Sequence, residues 1–353
     1  MKLNVKKVLT EQQENKLVEY AIKIAKMFYG LPRNEFRRLA YDYAKACQSP
    51  NIPAKWHVHE AASDDFYYAF MNRHPELCLK APEGISIARA TGFNKFAVNY
   101  FFNLYLKLME KYSFAPHRIY NLDETALSTV MKPLKVVCQK GSPVSSQISR
   151  ERGENMTFVG IINAVGQSIP PVFILPRKRV AMEFTRETLP GSKFLVTPSG
   201  RGWMTMASFV DTLRHIKEWT SCSQENRILI IMDNAECHKS IEAVEFCLEN
   251  GIVILTLPPH TTDKMQPLDV SVYASFKTHL RQIQHIFKAS NPGVHLAIQM
   301  LPQMASQAWL KSTSPSIIVN GFAKTGLWPI NPDIFPEDAF MGSEVSDQPA
   351  PGK

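Results

Sequence analysis

The chain has 353 residues, 45% hydrophobic and 20% charged, a balance that supports a sizeable buried core and excludes a chain too polar to fold. No run of about 18 apolar residues argues for a transmembrane helix, and the polar start MKLNVKKVLTEQQ does not read as a signal peptide. The net charge of +8 is uneven: residues 1–122 hold 18 Lys/Arg against 11 Asp/Glu, and the remaining 231 hold 22 against 21. A basic front before a near-neutral body suits a polyanionic partner, and also a plain solvated surface.

The first hundred residues read as helical. Thr10 and Gln13 have the spacing of a capping box, and Leu17, Ala21, Ile24, Ala25 and Phe28 then recur at helical spacing up to Gly30-Leu31-Pro32. Phe36, Leu39, Ala40, Tyr43 and Ala44 mark a second helix, residues 48–53 a loop, and residues 63–72 a third helix. Trp56, Phe66, Tyr67, Tyr68 and Phe70 form the expected core of this region. Residues 80–94 read as an irregular linker, and a fourth helix spans 95–112.

Strand character begins after Pro116. Residues 117–123 form a short strand. Residues 156–165 and 168–175 form a hairpin around Gly166-Gln167, and the apolar runs RILIIM and GIVILTL are strands buried on both faces. Helices are expected between these strands and over 270–288. The order is that of an α/β layer with a mixed sheet. The Ser/Pro/Gly-rich tail is expected to be disordered.

Three acids follow strands. Asp123 closes the first, Asp233 follows RILIIM, and Asp269 lies shortly beyond GIVILTL. Sites in open α/β sheets gather at the carboxyl ends of strands. Three carboxylates there suit two Mg²⁺ ions about 3.5–4 Å apart, an arrangement that cleaves phosphodiesters. A lone Asp after a strand is more often a turn former. The six cysteines form no CxxC pair and read as free thiols. Cys237, His238 and Cys247 lack an evident fourth metal ligand. Arg177-Lys178-Arg179 reads as a solvated loop, with phosphate contact or nuclear import as the other readings.

The segments HRIYNLDET, ERGENMTFVGIINAVGQSIPPVFILPRKR, PSGRGWMT, LIIMDNAECH, LPPHTTDKMQPLDVSVYASFK and GFAKTGLWPINPDIF occur in this order across residues 117–335. They resemble the blocks of the pogo/Tigger/jerky DDE transposase superfamily. The resemblance implies an α/β RNase H-like core with a mixed five-stranded sheet and flanking helices. It also implies that Asp123, Asp233 and Asp269 are catalytic and hold two Mg²⁺ (or Mn²⁺) ions. The gap of 35 residues between Asp233 and Asp269 is similar to the family's. Two positions depart from the pattern: Ala126 stands where Gly is usual, and Asp263 where His is frequent.

The front segment is similar to the helix-turn-helix DNA-binding domain shared with centromere protein B. Arg33, Arg37, Arg38, Lys45, Lys55, Arg73, Lys80 and Arg89 are its candidate DNA contacts. The resemblance implies a further helix-turn-helix ahead of this one. Its absence from the sequence is expected to weaken a bipartite reader. The expected organisation is a helix-turn-helix domain over 1–80, a connector over 81–115, an endonuclease domain over 116–335 and a disordered tail over 336–353. The implied partner is double-stranded DNA, with a homodimer by family analogy, a nuclear location, and neither membrane nor small-molecule substrate. Two functions stay open: a metal-dependent endonuclease and strand transferase, or a domesticated transposase that binds DNA without cutting it.

Overall fold

The structure is a computed structural model that describes residues 7–26, 30–81, 91–130, 153–197, 199–238 and 240–346. The chain divides into two compact units, Met1–Lys95 with Phe335–Lys353, and Phe96–Ile334.

The first unit contains α1 (Glu11–Lys26), α2 (Arg33–Ala46), α3 (Ala54–His59) and α4 (Asp64–Arg73). The capping box forms at α1: Thr10 N–H donates to Gln13 Oε1 (2.8 Å), and Gln13 N–H to Thr10 Oγ1 (3.3 Å). Leu17, Phe36, Ala40, Trp56, Tyr67 and Phe70 are buried together, and Phe66 packs against them. Tyr68, expected in this core, is exposed, and the Arg33 guanidinium lies over its ring. Helix α3 has six residues, too few to display a period, and the sequence reading passes over it. An ion cluster around the buried Glu14 also locks this unit. Arg73 donates to both oxygens of the Glu14 carboxylate, and His74 Nε2 lies 3.2 Å from Glu14 Oε2.

The expectation of a disordered stretch from 336 onward is corrected for its described part. Residues Glu337–Phe340 and Met341–Ser346 are helical. Phe340 is buried and stacks on Phe93, which also meets Phe335 edge-on. Aromatic burial here outweighs a composition that favours disorder. Residues 347–353, and 82–90 of the expected linker, lie outside the described residues.

The second unit opens with α5 (Lys95–Tyr112), the bounds read from the sequence. This helix is part of the unit's core rather than a bare connector: Phe101, Phe102 and Tyr105 are buried, and Tyr105 Oη donates to Leu327 O (2.8 Å). Among the described residues the sheet is mixed and has six strands, in the order β4-β3-β2-β1-β5-β6. They are β1 (Ile119–Ser128), β2 (Asn155–Asn163), β3 (Ser168–Leu175), β4 (Lys193–Val196), β5 (Ile228–Met232) and β6 (Ile252–Thr256). Five of them form the expected arrangement. The sixth, β4, adds four residues parallel to Val172–Leu175 at the outer side of β3. Its ladder starts just beyond Pro170 and Pro171, which have no N–H to give an edge partner.

Helix α6 (Met206–Thr220) begins at a Thr205/Ser208 capping box. With α7 (Ile241–Asn250) it contributes to a core shared with Tyr120, Leu122, Val159, Ile161, Ile228 and Ile230. Alternation of side chains along strands gives the opposite face to Asn121, Asp123, Phe158 and Gly160. There Phe158 stacks on Phe276 of α8 (Tyr273–Ser290) and meets Trp309 of α9 (Leu301–Ser312) edge-on. Helix α10 (Pro315–Lys324) follows.

Candidate metal centre

The acids approach one another because three segments meet beside the short parallel ladder between β1 and β5. That ladder pairs Ile119 with Leu229, Tyr120 with Ile230 and Asn121 with Ile231, and ends there. Strand β1 continues against β2 to Ser128. Asp123 therefore lies inside a strand, not at its end as the sequence suggested, but just past the point where its parallel neighbour stops. Asp233 follows β5 directly. Asp269 lies beyond β6 in one π turn, Leu268–Val272, which leads into α8. Such turns recur at functional sites.

One side chain fastens the three segments. Asn121 is fully buried; its Nδ2 donates to Ile231 O (2.9 Å), and its Oδ1 accepts from Leu268 N–H (3.0 Å). These groups belong to the residues two before Asp233 and one before Asp269, and Asn121 itself is two before Asp123. Gln266 adds a bond from Nε2 to Leu122 O (3.2 Å). Tyr273 Oη donates to Asp123 O (2.6 Å) and accepts from Gly160 N–H (3.3 Å). Gly160 pairs with Asp123 across β1 and β2. A Cβ there would lie 2.8 Å from Trp309 Cη2 and 2.9 Å from Tyr273 Oη, so this strand position excludes a side chain.

The electrostatics follow from the convergence. The Asp123 carboxyl is held well above the usual carboxylate range, by burial first and then by the charges of Asp269 and, more weakly, Asp233 and Glu124. For Asp233, burial raises the carboxyl, but the bond and charge of His238 and the Ala235 N–H outweigh it and hold it low. His238 is buried between two acids. Nε2 is 3.3 Å from Glu124 Oε1, and Nδ1 is 3.2 Å from Asp233 Oδ1. Burial disfavours its charged form; Asp233, Cys237 and Glu124 outweigh that and push the ring up to about 11. Three carboxylates with one forced towards neutrality by its neighbours are a donor set that a hard divalent cation would relieve.

Sequence reasoning passed over Asn121, Glu124, Gln266 and Tyr273. For Asn121 a signal was available: at i−2 it shares the sheet face of Asp123. Cys247, weighed beside Cys237 and His238, is buried near Cys222 in the α6/α7 core, and burial lifts its thiol to about 12.

Of the candidate DNA contacts, three are engaged inside the first unit. Arg33 and Arg37 pair with Asp64, and Arg37 Nε also donates to Ala62 O. Arg73 is bound to Glu14. Arg38, Lys45, Lys55 and Lys80 are exposed, and Arg89 lies outside the described residues. In the second unit Arg177 pairs with Glu154, while Lys178 and Arg179 are exposed.

Residues 156–322 match the DDE superfamily endonuclease family. The CENP-B homolog protein 2 of Schizosaccharomyces pombe (strain 972 / ATCC 24843) is 23% identical over 332 residues, which are 89% of this chain and 60% of that protein. The MFS-type transporter clz9 of Cochliobolus lunatus is 27% identical over 234 residues, 65% of this chain but 25% of that protein. The chain thus spans less than two thirds of either relative. Among the described residues, no helix is long and apolar enough to cross a membrane. In fold, the chain is similar to the Mos1 strand transfer complex (TM-score 0.51, 12% identity, 91% of this chain and 81% of that one). It is also similar to a pre-cleavage Mos1 transpososome (TM-score 0.50, 12% identity, 91% and 82%). The α/β unit of this chain thus resembles the DDE superfamily endonucleases over residues 156–322, and its fold is similar to that of the Mos1 structures.

Proposed function

We propose that the chain is a DNA-binding protein of pogo/Tigger transposase descent whose endonuclease domain retains its chemistry, cutting phosphodiesters and joining 3′-hydroxyls. The observation that carries this reading is the convergence of three acid-bearing segments on the buried Asn121, which bonds Ile231 ahead of Asp233 and Leu268 ahead of Asp269. Asp123, Asp233 and Asp269 would hold two Mg²⁺ or Mn²⁺ ions. When bound, such ions activate the attacking oxygen and stabilise the leaving one. The chain's own residues supply the placement. Asn121 fixes the spacing of the three segments, Tyr273 holds the backbone at Asp123, and His238 orients Asp233. Metal-dependent nicking of plasmid DNA that Asp123→Ala abolishes is the test.

The helical unit is proposed to grip double-stranded DNA through Arg38, Lys45, Lys55 and Lys80, with Arg33, Arg37 and Arg73 supporting its structure. A homodimer that holds two DNA ends, and residence in the nucleus, complete the proposal. The second reading, a domesticated binder that no longer cuts, rests on Asp263 and Ala126, which depart from the family pattern. Binding without nicking by folded protein would favour it.

A further inference from the structure

Glu124 is adjacent to Asp123, but alternation along β1 sends it to the other face of the sheet, that of the core shared with α6. There its carboxylate meets His238 Nε2 at 3.3 Å. The Cys237 thiol completes the group: one oxygen, one sulfur and one ring nitrogen all lie within 4.8 Å of one another. Bonds of about 2.0–2.3 Å to a tetrahedral Zn²⁺ place donors roughly 3.3–3.8 Å apart. The Glu124–His238 pair already has that separation, and the thiol, within 4.8 Å of both, has to close in on them. The donor set excludes Mg²⁺ as the preferred occupant, because thiolate and imidazole favour softer ions.

The other ring nitrogen points the same way independently. His238 Nδ1 is 3.2 Å from Asp233 Oδ1. A histidine that binds metal through one nitrogen commonly gives its other N–H to a carboxylate, which sets the tautomer and the ring's direction. The ring is further seated on Phe209, with centroids 4.4 Å apart. His238 is thus buried with Nε2 beside Glu124, Nδ1 beside Asp233, and the Cys237 thiol close to its ring.

We propose that Glu124, Cys237 and His238 form a zinc site distinct from the three-aspartate centre and coupled to it through Asp233. Zinc takes the place of the proton on His238 Nε2 and of the thiol proton of Cys237, and both protons go to solvent. The fourth position is left to water. Zinc in this site holds the turn after β5 and thereby fixes Asp233 from behind. Zinc binding here does not require nuclease activity.

Co²⁺ titration of the full chain tests it, since a thiolate ligand gives cobalt a sulfur charge-transfer band. The expected result is one equivalent of Co²⁺ with that band, displaced by Zn²⁺ and not by Mg²⁺. Cys237→Ser and Glu124→Gln should lose the site, Cys78→Ser should keep it, and Asp233→Ala should weaken it about 10–100-fold. Circular dichroism of each variant separates a missing ligand from a missing fold. A missing band, or one that survives Cys237→Ser in folded protein, overturns the proposal. Unchanged Co²⁺ affinity in Asp233→Ala overturns the coupling to Asp233.

Discussion

The amide oxygen of Asn121 lies 3.0 Å from the backbone N–H of Leu268, so a side chain two residues before one aspartate holds the residue that precedes another. Its amide nitrogen holds Ile231, two residues before the third. Asn121→Leu removes both bonds and leaves two buried backbone groups unpaired. Each such group costs about 1–3 kcal/mol. The α/β unit should become less stable by about 3 kcal/mol in denaturant titration, and metal-dependent nicking should fall further than the fraction unfolded explains. A variant as stable and as active as wild type would show that the acids are placed by other interactions.

Asp123 predicts how metal-free protein responds to pH. Its folded carboxyl is raised above the ordinary 3.8. A raised carboxyl contributes stability that is complete below that value and is lost as pH rises through the folded one. In chelator, wild type should therefore lose stability as pH climbs from 3.8 through the raised value. Asp123→Asn should melt higher than wild type near neutrality, by about 2–4 °C per kcal/mol relieved, and match it in acid. Mg²⁺ should stabilise wild type more than the variant. A lower melting temperature for Asp123→Asn in chelator at neutral pH would contradict the like-charge account.

Glu14 has the opposite sign. Burial raises its carboxyl, but Arg73 and His74 bind the charged form and bring it below the ordinary 4.5. Its contribution is complete above 4.5 and lost as pH falls through the lower folded value. Glu14→Gln should destabilise the helical unit by about 2 kcal/mol at neutral pH and make its melting less sensitive to acid. Thermal unfolding of the full chain over roughly pH 2–6, which brackets that window, measures this. Parallel curves for wild type and variant would mean that the cluster contributes nothing.

DNA binding should divide the basic residues by their partners. Arg38 and Lys45 lie seven apart on α2, on one face of the helix, and both are exposed. Arg38→Ala with Lys45→Ala should weaken binding to any duplex. The slope of log affinity against log salt should also shrink by about 1 for each phosphate left without its cation. Arg37→Ala should lower the melting temperature, since Arg37 holds Ala62 O and Asp64. Fluorescence anisotropy at several salt concentrations reads the slope, and an unchanged slope in the double variant places the DNA elsewhere.

Much of this was legible in the sequence because it depends on near neighbours. The capping box at Thr10, the bounds of α5, the hairpin turn at Gly166 and the buried strand β5 each follow from spacing within a few residues. Three features were not legible, because each depends on distant partners. Helix α3 is shorter than two turns and depends on Trp56 burying itself against α4. The sixth strand is four residues long and exists because β3 offers it an edge. The bonds of Asn121 reach residues more than a hundred positions away. Asp123 was expected at a strand end because a strand read in isolation stops at its last apolar residue, whereas β1 is prolonged by its antiparallel partner β2.

The most direct measurement is plasmid nicking by wild type, Asp123→Ala, Asp233→Ala and Asp269→Ala, with Mg²⁺ or Mn²⁺ and with chelator. The account predicts cutting by wild type with either metal, none in chelator, and none by any of the three variants while each stays folded and still binds DNA. Failure of folded, DNA-binding wild type to cut, or cutting that survives removal of these acids, would contradict it.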